Sequence, residues 1–268
     1  MKTENFLIAG TDRKMTECKK HLESLGYRSL SCTDDEFFNQ IENFKNIILP
    51  LPTERNGIIV GTGKDVDSLL NRIKKTQRVF YGNIKANPFG DNGFCYYADE
   101  AFLQYNSELT AQGTLRLILD NIETDIKDLK IAVTGFGKCG EAICRLLLAN
   151  GAQVTVFSRS LASRINSQGI GCRWKNIIEI NRLLSDYDVI INTVAYNIIS
   201  LKAALFLTEK NLYIEIASKP YGFDTSSVDT GRFKYVNGNS LPGRFTPVSA
   251  GRNIAQTVLR IIKEGEYG

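Results

Sequence analysis

The 268-residue chain contains a single histidine, His21, and no apolar run approaching the roughly 18 residues that a membrane span requires. The absence of such a run excludes a transmembrane helix. His21 stands among lysines and a glutamate on a predicted helix, where a solvated position is expected, so histidine acid–base catalysis is disfavoured. The first residues lead directly into a strand-like segment instead of a signal-peptide core, and we therefore expect a cytoplasmic protein.

Paired cysteines are also lacking. The six cysteines are scattered without a C-x-x-C pair or a histidine cluster beside them: Cys18, Cys32, Cys95, Cys139, Cys144 and Cys172. This spacing argues against a disulfide framework and against a zinc site. Reduced thiols and no bound metal are the expectation.

Basic residues form no tract. The formal net charge is +4, and lysines, arginines and acids are interleaved along the chain. The clustered basic face that identifies nucleic-acid-binding proteins is therefore missing, and no nucleic-acid partner is expected. A modest positive excess suits an anionic small ligand.

The first half of the chain alternates strands with helices. Apolar runs at residues 6–9, 47–49, 58–60 and 79–81 predict strands, and helical spacing predicts helices over 14–25 and 66–73. Such alternation is typical of a mainly parallel sheet with crossover helices. The length and the 43% hydrophobic content allow one large domain or two ordinary ones.

A helix predicted over residues 108–122 connects the two halves. We predict an α/β protein with two Rossmann-like domains, parallel sheets and a cleft between them. Residues 1–125 would form an N-terminal α/β domain for substrate or partner. Residues 126–268 would form the nucleotide-binding domain, with the last helix able to pack back on the N-terminal one.

A glycine-rich turn follows the strand predicted at residues 129–134. Its sequence is Gly135-Phe136-Gly137-Lys138-Cys139-Gly140, and an apolar helix and a second strand, 154–157, come after it. Gly135 permits the tight turn, Gly137 lets the backbone approach a pyrophosphate, and Gly140 lets the helix pack close to the strand. This order of elements indicates a dinucleotide site. The alternative is a glycine-rich turn that binds no ligand.

The end of the second strand bears on the choice of nucleotide. An acid here usually holds the ribose 2′-hydroxyl of NAD, but this chain has Ser158-Arg159-Ser160. A serine and an arginine can bind a 2′-phosphate, so NADP is favoured and NAD is disfavoured. Arg159 as an ordinary surface residue is the alternative.

Two further strands end in polar or small residues. Because ligands of open α/β sheets lie beyond the carboxyl ends of the strands, we expect four residues to line the nicotinamide half of the site. They are Asn192, Thr193, Ala217 and Ser218, and Val194 is a further candidate for cofactor binding. Each of them has capping or turn formation as its alternative role.

No catalytic group stands out. The candidates are Lys219 after a strand end, Arg244 in a Gly-Arg-Phe loop, and Asn106 with Ser107 at the predicted start of the connecting helix. Surface charge is the alternative for the two cations, and N-capping is the alternative for Asn106 and Ser107. Residues 245–251 look like the T-P-H segment of 2-hydroxyacid dehydrogenases, but Val248 stands where the catalytic histidine would be, which disfavours that reaction.

Several segments together resemble the dipicolinate synthase A-subunit family of spore-forming bacteria over nearly the whole chain. They are Asn106-Ser107 with residues 110–113, the glycine turn with Ser158-Arg159, Asn192-Thr193-Val194, residues 216–220, and residues 241–251. The last segment, with its P-G-R-x-x-P-x-S-A-G pattern, is the most specific. The chain departs from the family at Ala195, Glu108-Leu109 and Tyr221.

The resemblance implies an NADP-linked oxidation of dihydrodipicolinate to dipicolinate (pyridine-2,6-dicarboxylate) in sporulation. It also implies that the partner is the flavoprotein-like B subunit of dipicolinate synthase. A small dicarboxylate substrate would suit Lys219 and Arg244, and the reaction would need no obligatory histidine. We further expect a homo-oligomer. A dehydrogenase of another small carboxylate and a non-catalytic NADP-binding sensor or scaffold remain the alternatives.

Overall fold

The computed structural model of the chain describes residues 3–84, 86–227 and 230–265. It divides into two units, one running up to Asn106 and including the segment from Phe245 onward, the other running from Ser107 to Arg244. This division differs from the predicted boundary between residues 125 and 126. Residues 107–125 group with the second unit and the C-terminal helix groups with the first.

The first unit contains a five-stranded parallel sheet with strand order β2-β1-β3-β6-β7. Its strands are β1 (Asn5–Ala9), β2 (Arg28–Cys32), β3 (Asn46–Ile48), β4 (Glu54–Arg55), β5 (Ile58–Ile59), β6 (Arg78–Tyr81) and β7 (Gly93–Cys95). Its helices are α1 (Arg13–Ser24), α2 (Asp34–Gln40), α3 (Val66–Leu70), the start of α4 (Glu100–Asn121) and the C-terminal α10 (Pro247–Gly265).

One predicted strand of this unit lies outside the main sheet. The strand predicted at residues 58–60 is present as β5 at Ile58–Ile59, but it pairs antiparallel with β4 in a small hairpin. The cause is the Asn56-Gly57 turn, in which both residues have positive φ, +54° and +81°. An Asn-Gly pair in this conformation closes a two-residue hairpin.

Helices α1 and α10 cover one face of this sheet. Met15, Cys18 and Leu22 of α1 are fully buried in one cluster with Ile254 and Val258 of α10. Helix α10 also changes the environment of His21 on α1. This histidine was predicted to be solvated, but it is half-buried. Burial, together with the positive charge of Arg252 on α10, lowers the pKa of the imidazole.

The second unit contains a six-stranded parallel sheet with order β10-β9-β8-β11-β12-β13. Its strands are β8 (Lys130–Thr134), β9 (Gln153–Ser158), β10 (Arg173–Asn176), β11 (Val189–Asn192), β12 (Leu212–Glu215) and β13 (Lys234–Asn237). Its helices are the rest of α4, α5 (Lys138–Ala149), α6 (Leu161–Gly169), α7 (Ile180–Leu183), α8 (Leu201–Ala204) and α9 (Leu241–Phe245).

This strand order is the 3-2-1-4-5-6 order of the dinucleotide-binding fold. The predicted α/β architecture with two Rossmann-like parallel sheets is therefore confirmed. β11 and β12 are buried along their whole length, as strands covered on both faces must be. No helix in the described part of the chain is both long and apolar enough to cross a membrane.

Gly251 lets α10 approach α1. A Cβ at this position would lie 2.6 Å from the Cys18 nitrogen and 2.9 Å from the Glu17 carbonyl carbon, which are backbone atoms that cannot rotate away. We therefore expect Gly251→Ala to lower the free energy of unfolding by about 1–3 kcal/mol through overpacking. Urea unfolding followed by circular dichroism measures this.

The matched control is Gly169→Ala at the end of α6, where an added Cβ would meet no atom within 4 Å. The control should keep wild-type stability or gain slightly, since alanine favours helix. Equal midpoints for wild type and Gly251→Ala would show that the two helices can separate at no cost.

Candidate functional site

The predicted glycine turn joins β8 to α5 at the carboxyl edge of the second sheet. Gly135 has φ +83°, and its N–H donates to the Phe157 carbonyl on the adjacent strand at 2.8 Å. A Cβ here would lie 2.8 Å from Thr193 Oγ1 and 2.9 Å from Val194 Cγ2. Both the conformation and the close neighbours thus require glycine.

The other two glycines have opposite surroundings. A Cβ at Gly140 would lie 2.6 Å from the Gly135 carbonyl oxygen, so this glycine lets the first turn of α5 pack against β8. Gly137 is exposed, and a Cβ there would meet no atom within 4 Å. It is also the N-cap of α5, which therefore has no side-chain cap. The open space in front of these helix N–H groups fits a pyrophosphate.

The remaining residues of the turn flank this space. Phe136 and Cys139 are partly buried against the core of the unit, and Lys138 begins α5. Burial raises the pKa of the Cys139 thiol to about 12, so it stays protonated and is a poor nucleophile. Phe136 and Cys139 thus shape the turn without adding a nucleophile.

Ser158, Arg159 and Ser160 differ in what they can offer a ligand. Ser158 is buried, and its hydroxyl accepts a hydrogen bond from Trp174 Nε1 at 2.8 Å. Ser160 caps α6, accepting from the Ser163 N–H at 3.1 Å. Arg159 is exposed, and no described residue forms an ion pair or hydrogen bond with its guanidinium. Of the three side chains, Arg159 is the one available to an anion.

Trp174 and Arg164 were not predicted as part of this region. The Arg164 guanidinium carbon lies 5.3 Å from the centroid of the Trp174 ring, and this indole in turn bonds to Ser158. The two residues lie on β10 and α6, outside the glycine motif, so no motif spacing indicates them. Their stacking places a second cation near the end of β9.

Asn192 ends β11 and is completely buried. Its amide oxygen accepts from the Thr134 hydroxyl at 2.6 Å and from the Val194 N–H at 3.2 Å. Its amide nitrogen donates to the Val194 carbonyl at 3.0 Å and to Glu215 Oε1 at 2.7 Å. With all of these bonds made, the Asn192 side chain can influence a ligand only by holding the loop that follows it.

Glu215 is the polar centre of this edge, and it was not among the residues predicted from the sequence. Its side chain is completely buried at the end of β12. One carboxylate oxygen accepts from Asn192 Nδ2 at 2.7 Å and the Ala217 N–H at 3.1 Å. The other accepts from the Gly222 N–H at 2.9 Å and the Tyr213 hydroxyl at 3.3 Å. An acid inside the apolar run Tyr-Ile-Glu-Ile was the signal that could have revealed it.

The other predicted nicotinamide-side residues lie at the same edge. Thr193 is partly exposed, and its hydroxyl donates to the Thr134 carbonyl at 2.6 Å, while Val194 follows it beside Gly135. Ala217 is buried and Ser218 is exposed. The structure thus brings these residues together with the glycine turn, because β8, β11 and β12 are neighbours in the sheet.

Two of the catalytic candidates occupy a different structural context from the predicted one. Helix α4 begins at Glu100, not at residue 108, and the Asp99 carboxylate accepts from the Phe102 N–H at 2.7 Å. Asn106 and Ser107 therefore lie inside the helix, and an N-cap role is excluded. Ser107 is buried there. In the first turns, which the local pattern missed, Phe102 packs in the core of the first unit and Tyr105 is 39% exposed.

The two cationic candidates are exposed. Lys219 lies in the loop after β12. Arg244 belongs to the short helix α9 instead of the predicted loop, and its Nη1 donates to the Asn237 carbonyl at 2.9 Å. Val248, in the position of the histidine of 2-hydroxyacid dehydrogenases, is 51% exposed in the first turn of α10. An aliphatic side chain supplies no acid–base chemistry there.

Comparison with known proteins shows a relative across nearly the whole chain. The A subunit of dipicolinate synthase from Bacillus subtilis (strain 168) is 27% identical over 274 residues, which cover 94% of this chain and 91% of that protein. No protein-family model matches the chain. The similarity to the dipicolinate synthase A subunit that the motifs indicated is confirmed.

Solved structures agree in fold. The dipicolinate synthase A subunit from Bacillus halodurans superposes with a TM-score of 0.82 at 20% identity, covering 96% of this chain and 97% of that one. Its counterpart from Bacillus subtilis gives 0.80 at 24%, covering 98% and 97%. A transhydrogenase from Sinorhizobium meliloti gives 0.68 at 11%, covering 97% and 94%. These likenesses establish a dehydrogenase-like fold.

We expect Glu215→Gln to lower the free energy of unfolding by about 1–3 kcal/mol at neutral pH, because the new NH₂ group would face donors that now meet a carboxylate oxygen. Denaturant unfolding measures this. Glu209→Gln, at an exposed glutamate of the same unit, is the control and should unfold as wild type does. Equal stability of Glu215→Gln and wild type would contradict the role of the carboxylate.

The same variant changes the pH dependence of stability. Burial raises the pKa of Glu215 above the ordinary 4.5, against the opposing effect of its hydrogen-bond donors. The folded state then holds this proton more tightly than the unfolded state. The contribution of Glu215 to stability therefore falls as pH rises from 4.5 through the folded-state pKa. Relative to Glu215→Gln, the wild type should lose stability over that interval.

Proposed function

We propose that this chain, which in sequence and fold is a relative of the dipicolinate synthase A subunit, performs the NADP-dependent oxidation of dihydrodipicolinate to dipicolinate in sporulation. The observation that carries the proposal is the glycine turn at the carboxyl edge of the second sheet. There the uncapped N-terminus of α5 faces open space at Gly137, and Arg159 follows the neighbouring strand.

The chain's own residues fit such a cofactor. The first-turn N–H groups of α5 would hold the pyrophosphate, with Gly135 and Gly140 allowing the close packing behind them. Arg159 would bind the 2′-phosphate, and its exposed guanidinium faces no competing acid among the described residues. This favours NADP over NAD, whose ribose is usually held by an acid at this position.

The nicotinamide half would lie beyond β11 and β12. Thr193 and Val194 would contact it from one loop, and Ala217 and Ser218 from the other. Asn192 and Glu215 would contribute by holding both loops in place through their mutual hydrogen bond. Bound NADP supplies a hydride acceptor.

Oxidation of a dihydropyridine removes a hydride and a proton and creates an aromatic ring. Because aromaticity drives the reaction, a strong base is not essential, in agreement with a chain that has one histidine. Lys219 and Arg244 are the candidate ligands for the substrate carboxylates, and their positive charge suits a dicarboxylate. Asn106 and Ser107 remain candidates for polar contacts with the substrate.

The relative is named as one subunit of a synthase, which supports a multi-protein enzyme. Within the proposal, the partner is the flavoprotein-like B subunit, the enzyme acts in the cytoplasm, and the chain forms a homo-oligomer.

A second candidate is a non-catalytic NADP-binding protein that senses the nucleotide or positions a partner enzyme. One observation favours it. At the carboxyl edge of the second sheet, the buried acid is Glu215, and its oxygens are occupied by four protein donors. The described acid of the loop after β12, Asp224, also has its carboxylate engaged, by the Ser226 and Ser227 hydroxyls at 2.7 Å each.

We expect Arg159→Asp to weaken NADPH binding by roughly 10- to 100-fold, through loss of a charge-assisted bond to the 2′-phosphate and addition of a repelling acid. NADH affinity should hold or improve. Calorimetric titration with both nucleotides measures the change. The control is Arg182→Asp, at an exposed arginine of α7, which should bind both as wild type does. An unchanged NADPH-to-NADH ratio in Arg159→Asp would exclude the 2′-phosphate role.

The function itself is tested by mixing the purified chain with NADP and freshly generated dihydrodipicolinate, with and without the candidate partner, the B subunit. Ultraviolet absorbance follows dipicolinate, and nucleotide absorbance follows NADPH. We expect both products to form together and to depend on the enzyme. NADPH binding without either product, with or without the partner, would contradict the oxidoreductase and favour the sensor.

A further inference from the structure

A lysine at the carboxyl edge of the first sheet has no acidic partner. Lys14 lies in the first turn of α1, directly after the loop that leaves β1, and it is half-buried. Its Nζ donates to the Leu51 carbonyl at 2.5 Å. Within the described part of the chain it forms no ion pair. Lysines withdrawn from solvent are normally paired, so an ammonium held by one neutral carbonyl lacks its counter-charge.

The charges around Lys14 do not supply that partner. Asp12 is the nearby acid, but its carboxylate accepts from the Lys14 and Met15 N–H groups as the cap of α1. Arg55, in the hairpin, adds a second positive charge. Burial is the main cause that lowers the pKa of Lys14, and Arg55 acts in the same direction against Asp12. The local field therefore favours an anion.

The position in the sheet is that of a ligand site. In the strand order β2-β1-β3-β6-β7, the chain continues from β1 to β2, towards one edge of the sheet. From β3 it continues towards β6, at the other edge. The loops after these two strands diverge, and ligands of open α/β sheets bind in the crevice that this creates. The hydrogen bond from Lys14 to Leu51 joins the first turn of α1, which follows the loop after β1, to the loop after β3, so the ammonium lies at the switch point.

The loop opposite Lys14 is held rigidly. The buried Tyr96 hydroxyl donates to the Leu49 carbonyl at 2.9 Å. The Thr53 hydroxyl donates to the Pro50 carbonyl and accepts from the Gly82 N–H, both at 2.7 Å. A fixed wall beside a half-buried cation is preorganised, which lowers the entropic cost of binding.

We propose that Lys14, assisted by Arg55, binds a carboxylate of the small dicarboxylate substrate at the switch point of the first sheet. This inference rests on the proposed function for the identity of the substrate. It assigns the substrate a binding group that was not among the residues predicted from the sequence. The ligand carboxylate would supply the counter-charge that the protein itself does not provide.

The test measures binding of pyridine-2,6-dicarboxylate and its uncharged diamide, pyridine-2,6-dicarboxamide, to the full chain by calorimetry. Lys14→Gln removes the charge while its amide can still donate to the Leu51 carbonyl. We expect this variant to bind the dicarboxylate roughly 10- to 100-fold more weakly and the diamide unchanged. Lys14→Arg should restore dicarboxylate binding to within a few-fold of wild type.

The control is Lys20→Gln, at an exposed lysine of the same helix that pairs with Glu17. It should bind the dicarboxylate as wild type does, and NADPH affinity should be the same in all variants. If Lys14→Gln bound the dicarboxylate as tightly as wild type, the inference would be overturned. Equal losses of dicarboxylate and diamide binding would overturn it too, because they would indicate a purely structural lysine. No dicarboxylate binding to wild type would overturn it too.

Failure of the inference and failure of the proposed function give different results. If the wild type binds the dicarboxylate through Lys14 but turns over no dihydrodipicolinate, the site stands and the function fails. If the wild type oxidises the substrate and Lys14→Gln has an unchanged KM, the function stands and the site fails.

Discussion

Where α5 leaves β8, the backbone of Gly140 approaches the Gly135 carbonyl so closely that no side chain fits between them. This contact directs the N-terminus of α5 along the carboxyl edge of the second sheet, beside the loop that carries Thr193 and Val194. Gly137 then leaves the space in front of the helix open. An anion can be bound by backbone N–H groups alone, without a dedicated charged side chain.

The same edge depends on a buried polar network. Thr134, Asn192 and Glu215 follow one another through hydrogen bonds across three adjacent strands, β8, β11 and β12. Such a network is costly to bury and stabilises one arrangement only when every member is satisfied, as it is here. The Glu215 carboxylate also accepts hydrogen bonds from the N–H groups of Ala217 and Gly222, so it fixes the loop between these two residues. The loops beyond the strands are thus held from inside the protein.

The structural features that the sequence predicted correctly are those that depend on short stretches of the chain. The glycine turn, the strands beside it and the parallel sheets followed from apolar runs and from the conformational freedom of Gly135. Features that depend on tertiary contacts could not be read in this way. The sequence allowed the last helix to pack back on the N-terminal domain, but it did not indicate which residues α10 meets there, so the half-burial of His21 beside Arg252 was missed. The start of α4 at Glu100 was missed as well, because its first turns are held by the Asp99 cap and by the burial of Phe102 in the core of the first unit.

We propose that the carboxyl edge of the second sheet binds NADP. Hydrogen–deuterium exchange of the full chain with and without NADPH tests this binding. We predict slower exchange in peptides that cover residues 135–140, 158–160 and 192–194, with Arg159→Asp losing the protection at 158–160 first. NADPH binding that leaves these three segments unprotected, or that protects only other parts of the chain, would contradict the claim.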